Sequence, residues 1–163
     1  MNNETKPRFF ISYMTRFLLI PALLGCLLLT ALTPAADDPD AVVGRWLSSK
    51  KRNQVQIFRQ GDKYYGRLVW MLEPNDPVTK RPKTDMQNPD VSLRNRPLMN
   101  MIMMSDLVYK GDNTWTGGQV YNPEDGKTYS CDLTLRDPNS LDIHGYVMGI
   151  SLLGRTKTWT RVR

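Results

Sequence analysis

From Asn53 onward the chain keeps changing sides, and that alternation constrains its fold more than anything else in the sequence. In NQVQIFRQ (Asn53–Gln60), Val55 and Ile57 fall on one side, and Gln54 and Gln56 on the other. KYYGRLVWM (Lys63–Met71) places Tyr64, Gly66, Leu68 and Trp70 on one face. TYSCDLTLR (Thr128–Arg136) sets Tyr129, Cys131, Leu133 and Leu135 against Thr128, Ser130, Asp132 and Thr134, and SLDIHGYV sets Leu141 and Ile143 against Asp142 and His144. A period of two is that of half-buried antiparallel strands. The connections RQGDK, KGDNT, NPEDGK and DPNS are short, and each carries a residue that tolerates left-handed backbone or pre-sets a turn. Strands adjacent in sequence are then adjacent in space, as an up-and-down meander. About eight strands fit, beginning near Val43, Asn53, Lys63, Leu98, Thr114, Lys127, Ser140 and Ser151, and nothing reads as a long helix. Such a meander closes most readily into an all-β, single antiparallel barrel, which removes exposed edges. Its interior is either filled by side chains or holds one small ligand.

The first 36 residues read as a separate element. Lys6, Arg8 and Arg16 precede an apolar run, Phe17–Leu32, and TPAADD follows it. That is the anatomy of a cleaved secretory signal, with the barrel domain spanning 37–163. With Pro21 and Gly25 inside it, the run is short for a permanent membrane span. LLGC (Leu23–Cys26) offers lipidation of Cys26 as an alternative, although the residues after it stay apolar. Loss of the leader leaves Cys131 alone, so the domain holds together without an internal disulfide. The formal charge of the whole chain is +6, and removing Lys6, Arg8 and Arg16 with Glu4 lowers it by two. An exported, mildly basic protein argues against a nucleic-acid partner and suits acidic ligands or head groups. The expected location is the periplasm or the medium.

One segment breaks the rhythm. Glu73–Pro97 holds five prolines and nine charged residues with no apolar period. A long Pro-rich loop of this kind is usually a lid or binding loop, or else an ordered plug across one barrel end, for which Leu93 and Leu98 would be the anchors. Arg94 and Arg96, two apart in extended chain, can hold a carboxylate or phosphate of a ligand, or can pin the loop by pairing with Asp85 and Asp90.

The domain opens on Gly44-Arg45-Trp46 and ends on TWTRVR, in which Trp159, Arg161 and Arg163 share a strand face. Closure lets Arg161 lie over the Trp46 ring, a cation–π contact of about 1–2 kcal/mol when shielded from water. Gly44, Trp46 and Arg161 together resemble the closure lock of the lipocalin and calycin barrels. Three longer blocks, NPDVSLRNRPL, YNPEDGKTY and GYVMGISLLGRTKTWTRV, resemble the bacterial domain-of-unknown-function family 2147 over nearly all of the domain. The resemblance implies an exported lipocalin-like barrel and no established activity. The chain departs from the family pattern at MNMIMM (Met99–Met104), where Leu and Gly are more usual.

Several residues invite chemistry. His144 is the only histidine, and pairing Leu135 with Leu141 brings Asp132 opposite it, with Ser130 and Tyr146 one step along. That face is the polar outer wall, where no pocket excludes water, so no catalytic residue is assigned. Met99, Met101, Met103 and Met104 could present thioethers to Cu(I) from one strand face, or form an adaptable apolar wall, and the second reading is preferred. YNPEDGK lacks the spacing of a calcium loop and reads as a hairpin turn. No metal or cofactor is assigned. The resulting expectation is a non-enzymatic barrel binding a small, largely apolar ligand through Tyr64, Trp70, Met101, Met103, Trp115 and Tyr129, with Arg94 and Arg96 at the mouth. A solid-cored structural or interaction module of the envelope is the main alternative, and a Met-based copper carrier a lesser one.

Overall fold

The computed structural model describes residues 37–147 and 150–163. The leader expected over 1–36, and Cys26 with it, lies outside the described residues. Eight strands run in the order β1 (Gly44–Leu47), β2 (Asn53–Gln60), β3 (Lys63–Met71), β4 (Ile102–Gly111), β5 (Thr114–Asn122), β6 (Lys127–Asp137), β7 (Ser140–Tyr146) and β8 (Arg155–Arg161). Each pairs antiparallel with the next, and β1 pairs with β8 through Trp46–Arg161 and Leu47–Thr160, closing the barrel. Among the described residues no helix is long and apolar enough to cross a membrane.

Six strands start at or within one residue of the positions read from alternation. β4 and β8 start later, for local reasons. Asn100 adopts φ 67° and bonds back to the Leu68 carbonyl, so the chain enters β4 only at Ile102. Ser151–Leu153 form a single 3₁₀ turn before β8. The β6–β7 register is the one set by Leu135 opposite Leu141, with Asp132 opposite His144 and Ser130 opposite Tyr146.

Inward faces build one apolar cluster containing Trp46, Val55, Ile57, Tyr64, Leu68, Trp115, Leu133 and Leu141. Two departures from alternation follow from bulges, which insert an unpaired residue and bend the strand. Val55 pairs with Leu68 while Gln54 pairs with Trp70, so the wall shifts there and Trp70 is left 37% exposed instead of lining the interior. The pairing of β4 with β3 skips twice, and the buried residues along Met101–Leu107 are Met101, Met104 and Leu107, three apart instead of two. The methionines therefore do not form one thioether face. Met101 and Met104 sit in the core, and Met103 packs at its edge.

The first and last strands meet at Trp46 and Arg161. The Arg161 guanidinium carbon lies 4.2 Å from the Trp46 ring centroid. The indole Nε1 donates to the Val42 carbonyl at 2.9 Å, and Arg161 donates to the carbonyls of Val43 at 2.9 Å and Ala41 at 2.6 Å. Gly44 has φ 142°, and a Cβ there would stand 2.5 Å from Arg161 Nη1. The glycine thus leaves room for the guanidinium that clamps the tryptophan.

Candidate functional site

The barrel has two unlike ends. At the end carrying the β2–β3, β4–β5 and β6–β7 turns, the segment Asp37–Val43 crosses underneath and is held by side chains from the wall. Trp115 Nε1 donates to the Pro39 carbonyl at 3.1 Å, and the Tyr64 hydroxyl donates to Asp40 at 2.7 Å. Tyr109 donates to Asp37. Burial, and then the Asp40 carboxylate, push the Tyr64 phenol above its ordinary pKa. The segment caps this end, with Val42, Tyr64 and Trp115 buried behind it.

The opposite end is open. A cavity of about 520 Å³ lies between the β1–β2 connection, the ends of β5 and β7 and the starts of β6 and β8. Its deep wall is apolar, formed by Met103, Val120, Ile143 and Trp159. Tyr121, Tyr129 and Tyr146 add aromatic rings with hydroxyls. The rim is charged: Lys50, Arg52, Arg155 and Lys157 face Glu124 and Asp125. Arg52 is paired with Glu73 at 3.0 Å. Asp125 accepts from the Tyr129 hydroxyl at 2.7 Å and from the Lys127 amide at 3.0 Å. Burial raises the Asp125 pKa, but those bonds outweigh it and hold the carboxyl below its ordinary value.

Of the side chains expected to line a ligand site, Met103 and Tyr129 border this cavity. Tyr64, Trp115 and Met101 are buried in the core. They point inward as alternation requires, but Tyr64 and Trp115 do so at the closed end, where they anchor the N-terminal segment. Trp70, Arg94 and Arg96 are not among the residues bordering the cavity.

The long loop is ordered around a carboxylate. Asp85 is fully buried and accepts from the Tyr121 hydroxyl at 2.6 Å, Asn88 Nδ2 at 2.7 Å and Arg96 Nε at 2.9 Å. Burial pushes this carboxyl up, yet the three donors and the Arg96 charge prevail and keep it below its ordinary pKa. The same contact, with burial as the larger cause, pushes the Tyr121 phenol up to about 12. Arg94 Nε donates to the Asn88 carbonyl at 2.8 Å. Both arginines are thus engaged within the loop; of the two expected apolar anchors Leu98 packs against the core while Leu93 is 37% exposed, and Asp85 is the polar anchor. Gly126, at φ 69° in the β5–β6 turn, seats the loop: a Cβ there would lie 2.0 Å from the Gln87 carbonyl oxygen. Tyr121 joins the two features, its ring in the cavity wall and its hydroxyl on the loop.

His144 sits on the outer wall. Its Nδ1 lies 2.9 Å from Thr156 Oγ1, and its Nε2 lies 2.9 Å from the Ser151 carbonyl. A ring protonated on Nε2 donates to that carbonyl and accepts from the threonine. Asp132, though opposite in register, accepts instead from the Gly117 amide at 3.1 Å. Ser130, His144 and Asp132 therefore do not form a relay.

Two cavity residues, Arg155 and Lys157, escaped the sequence reading. The ladder pairs Leu141 with Trp159, Ile143 with Lys157 and Gly145 with Arg155. Residues directly opposite share a face, so both cations stand on the inner face. Extending the Trp159–Arg161 alternation four residues backward would have found them.

The family model described as an uncharacterized protein conserved in bacteria, DUF2147, matches residues 44–161. A solved structure, protein HP1028 from the human pathogen Helicobacter pylori, described as belonging to the lipocalin family, is similar with a TM-score of 0.65 and 25% sequence identity. The match covers 74% of this chain and 82% of that one. No curated protein matches the chain.

Proposed function

This chain belongs to the DUF2147 family, and for it we propose an exported, non-catalytic barrel that binds a small, largely apolar molecule at its open end. The observation that carries the reading is the cavity of about 520 Å³ with Met103, Val120, Ile143 and Trp159 in its wall. Ligand sites typically enclose roughly 300–1,000 Å³, mostly apolar, with a few polar groups fixing orientation. Barrels of eight strands are built on the scale of one small ligand. The likeness to a protein described as a lipocalin supports the same reading, but since folds host many functions, the cavity carries the weight. Binding here needs only shape and the burial of apolar surface. Export rests on the leader-like residues up to Ala36, and the amino-terminal sequence of the protein from its host should begin near Asp37.

The test is titration with N-phenyl-1-naphthylamine, a neutral apolar fluorophore. Saturable one-to-one binding in the micromolar range is expected. Met103→Trp, which fills the cavity from its wall, should abolish it while the protein still melts cooperatively. A folded parent that gives no saturable signal refutes the proposal, as does a Met103→Trp variant that binds equally well.

A further inference from the structure

β8 carries four inward residues in succession, Arg155, Lys157, Trp159 and Arg161, and their surroundings differ sharply along the strand. Arg161, at the closed end, is consumed by the Trp46 ring and by backbone carbonyls. Trp159 is buried. Lys157 and Arg155 border the cavity between Trp159 and the mouth. Neither makes an ion pair among the described residues. They stand two apart on one strand face, about 6–7 Å from backbone to backbone, and Lys50 on the same rim adds a third cation. The facing acid Asp125 is already engaged by Tyr129 and Lys127, and it lies on the β5–β6 turn, separated from β8 by β7.

Outward positions were available for these charges, since Thr156 and Thr158 occupy the other face and bond His144 and Asp142 there. Both side chains are exposed at the mouth, so like charges side by side without a counter-ion repel there only weakly, screened by water and salt. An anion placed between them relieves that repulsion, and charge-assisted hydrogen bonds to Lys and Arg are the strong ones. Below them the wall turns apolar.

We infer that the ligand is an anionic amphiphile, entering tail first, with its carboxylate or phosphate head held by Arg155 and Lys157 at the mouth and its chain packed on Trp159, Met103, Val120 and Ile143. This rests on the cavity-binding reading above and adds the chemical class of the ligand and the residues that select it. The same geometry reassigns the head-group role, expected of Arg94 and Arg96, to the last strand.

The experiment measures displacement of N-phenyl-1-naphthylamine by dodecanoate, dodecyl phosphate and 1-dodecanol, each as monomer, from the protein purified from its host and from an Arg155→Gln/Lys157→Gln variant. Both changes lie outside the core, and thermal melting confirms the fold. At least one anionic probe should bind about tenfold more tightly than the alcohol, the scale of one charge-assisted contact. The double variant should lose that advantage while its affinities for dye and alcohol stay unchanged, and added salt should shrink the advantage in the parent. An advantage confined to dodecanoate or to dodecyl phosphate identifies the head group. If dye and alcohol bind but the anions bind no better, or the variant keeps their advantage, the inference falls and the binding function stands. If the folded protein binds neither dye nor any probe, both fall.

Discussion

Replacing Trp46 by Ala measures what closure is worth. Trp46 is fully buried, its Nε1 donates to Val42, and Arg161 covers its ring. Truncating a buried tryptophan costs about 3–5 kcal/mol through lost burial and the cavity left behind. The stranded Val42 carbonyl and the loss of the cation–π contact add about 1–2 kcal/mol. The sum, about 4–7 kcal/mol, is a large part of the roughly 5–15 kcal/mol that holds a domain folded. At about 4 °C per kcal/mol for a domain of this size, melting should fall by about 15–30 °C. The lock itself is isolated by a milder cycle of Trp46→Leu, Arg161→Gln and the double variant. Arg161 also bonds Val43 and Ala41, but those losses occur in both legs that change Arg161 and cancel in the coupling term. A coupling of about 1–2 kcal/mol is expected because the pair is partly shielded from water. Urea unfolding followed by far-ultraviolet circular dichroism supplies the four free energies. An alanine variant that melts within about 5 °C of the parent refutes the account, and so does a cycle that is additive within about 0.3 kcal/mol.

The loop should respond to acid through Asp85. Its carboxyl is held below its ordinary pKa in the fold, so its stabilisation is complete above the unfolded value of about 3.9 and is lost as pH falls below it. The protection of the amides across Glu73–Pro97, relative to the unstructured chain at the same pH, should therefore fall below about pH 4 while the strands stay protected. Asp85→Asn should lower it already at pH 7, by about 1–3 kcal/mol once the partial exposure of Arg96 is discounted, and Gly126→Ala should act similarly by clashing with Gln87. Unchanged exchange in both variants would refute the anchoring role. Cys131 is fully buried, and burial pushes its thiol up to about 12. Iodoacetamide at pH 8 should leave it unmodified until urea unfolds the protein, and labelling at the rate of a free thiol would contradict its placement.

Much of the wall was legible because a period of two is a direct consequence of strand geometry. Val55 and Ile57, Leu133 and Leu135, and Leu141 and Ile143 all stand where alternation puts them. Bulges were not legible, because the residue they insert looks like any other, yet one was enough to turn Trp70 out and two more in the β3–β4 pairing spaced Met101, Met104 and Leu107 by three. Depth along the barrel was not legible either. Alternation says that Tyr64 and Trp115 face inward, but the segment Asp37–Val43, which has no period, decides that they meet backbone there instead of a ligand. Asp85 was legible with Asp90 as a partner for Arg94 and Arg96, and Arg96 does pair with it at 2.8 Å, but only the meeting with Tyr121 across the chain singles it out as the buried carboxylate. Arg155 and Lys157 were missed for the opposite reason: charge on an alternating strand is ordinarily taken as the solvent face.

That misplacement of charge is what separates the two ends of the molecule. An inward cation is tolerable in a barrel only where water or a partner group answers it. At the closed end the answer is internal, since the Trp46 ring and the carbonyls of Ala41 and Val43 meet Arg161 and convert a charge into closure. At the open end Lys157 and Arg155 stay exposed to water and make no ion pair among the described residues, and the half-buried Met103 and Val120 beneath them border open space. A chain selected for stability alone would exchange these two for apolar residues and extend the core to the mouth, as the strand already does at Trp159. Keeping both the cations and the void above the core makes physical sense for a site completed from outside. Changes at Trp46, Gly44 or Arg161 should then act first on stability and changes at Arg155 or Lys157 first on affinity. Tyr121, which walls the cavity and anchors the loop, is the side chain through which the two properties meet.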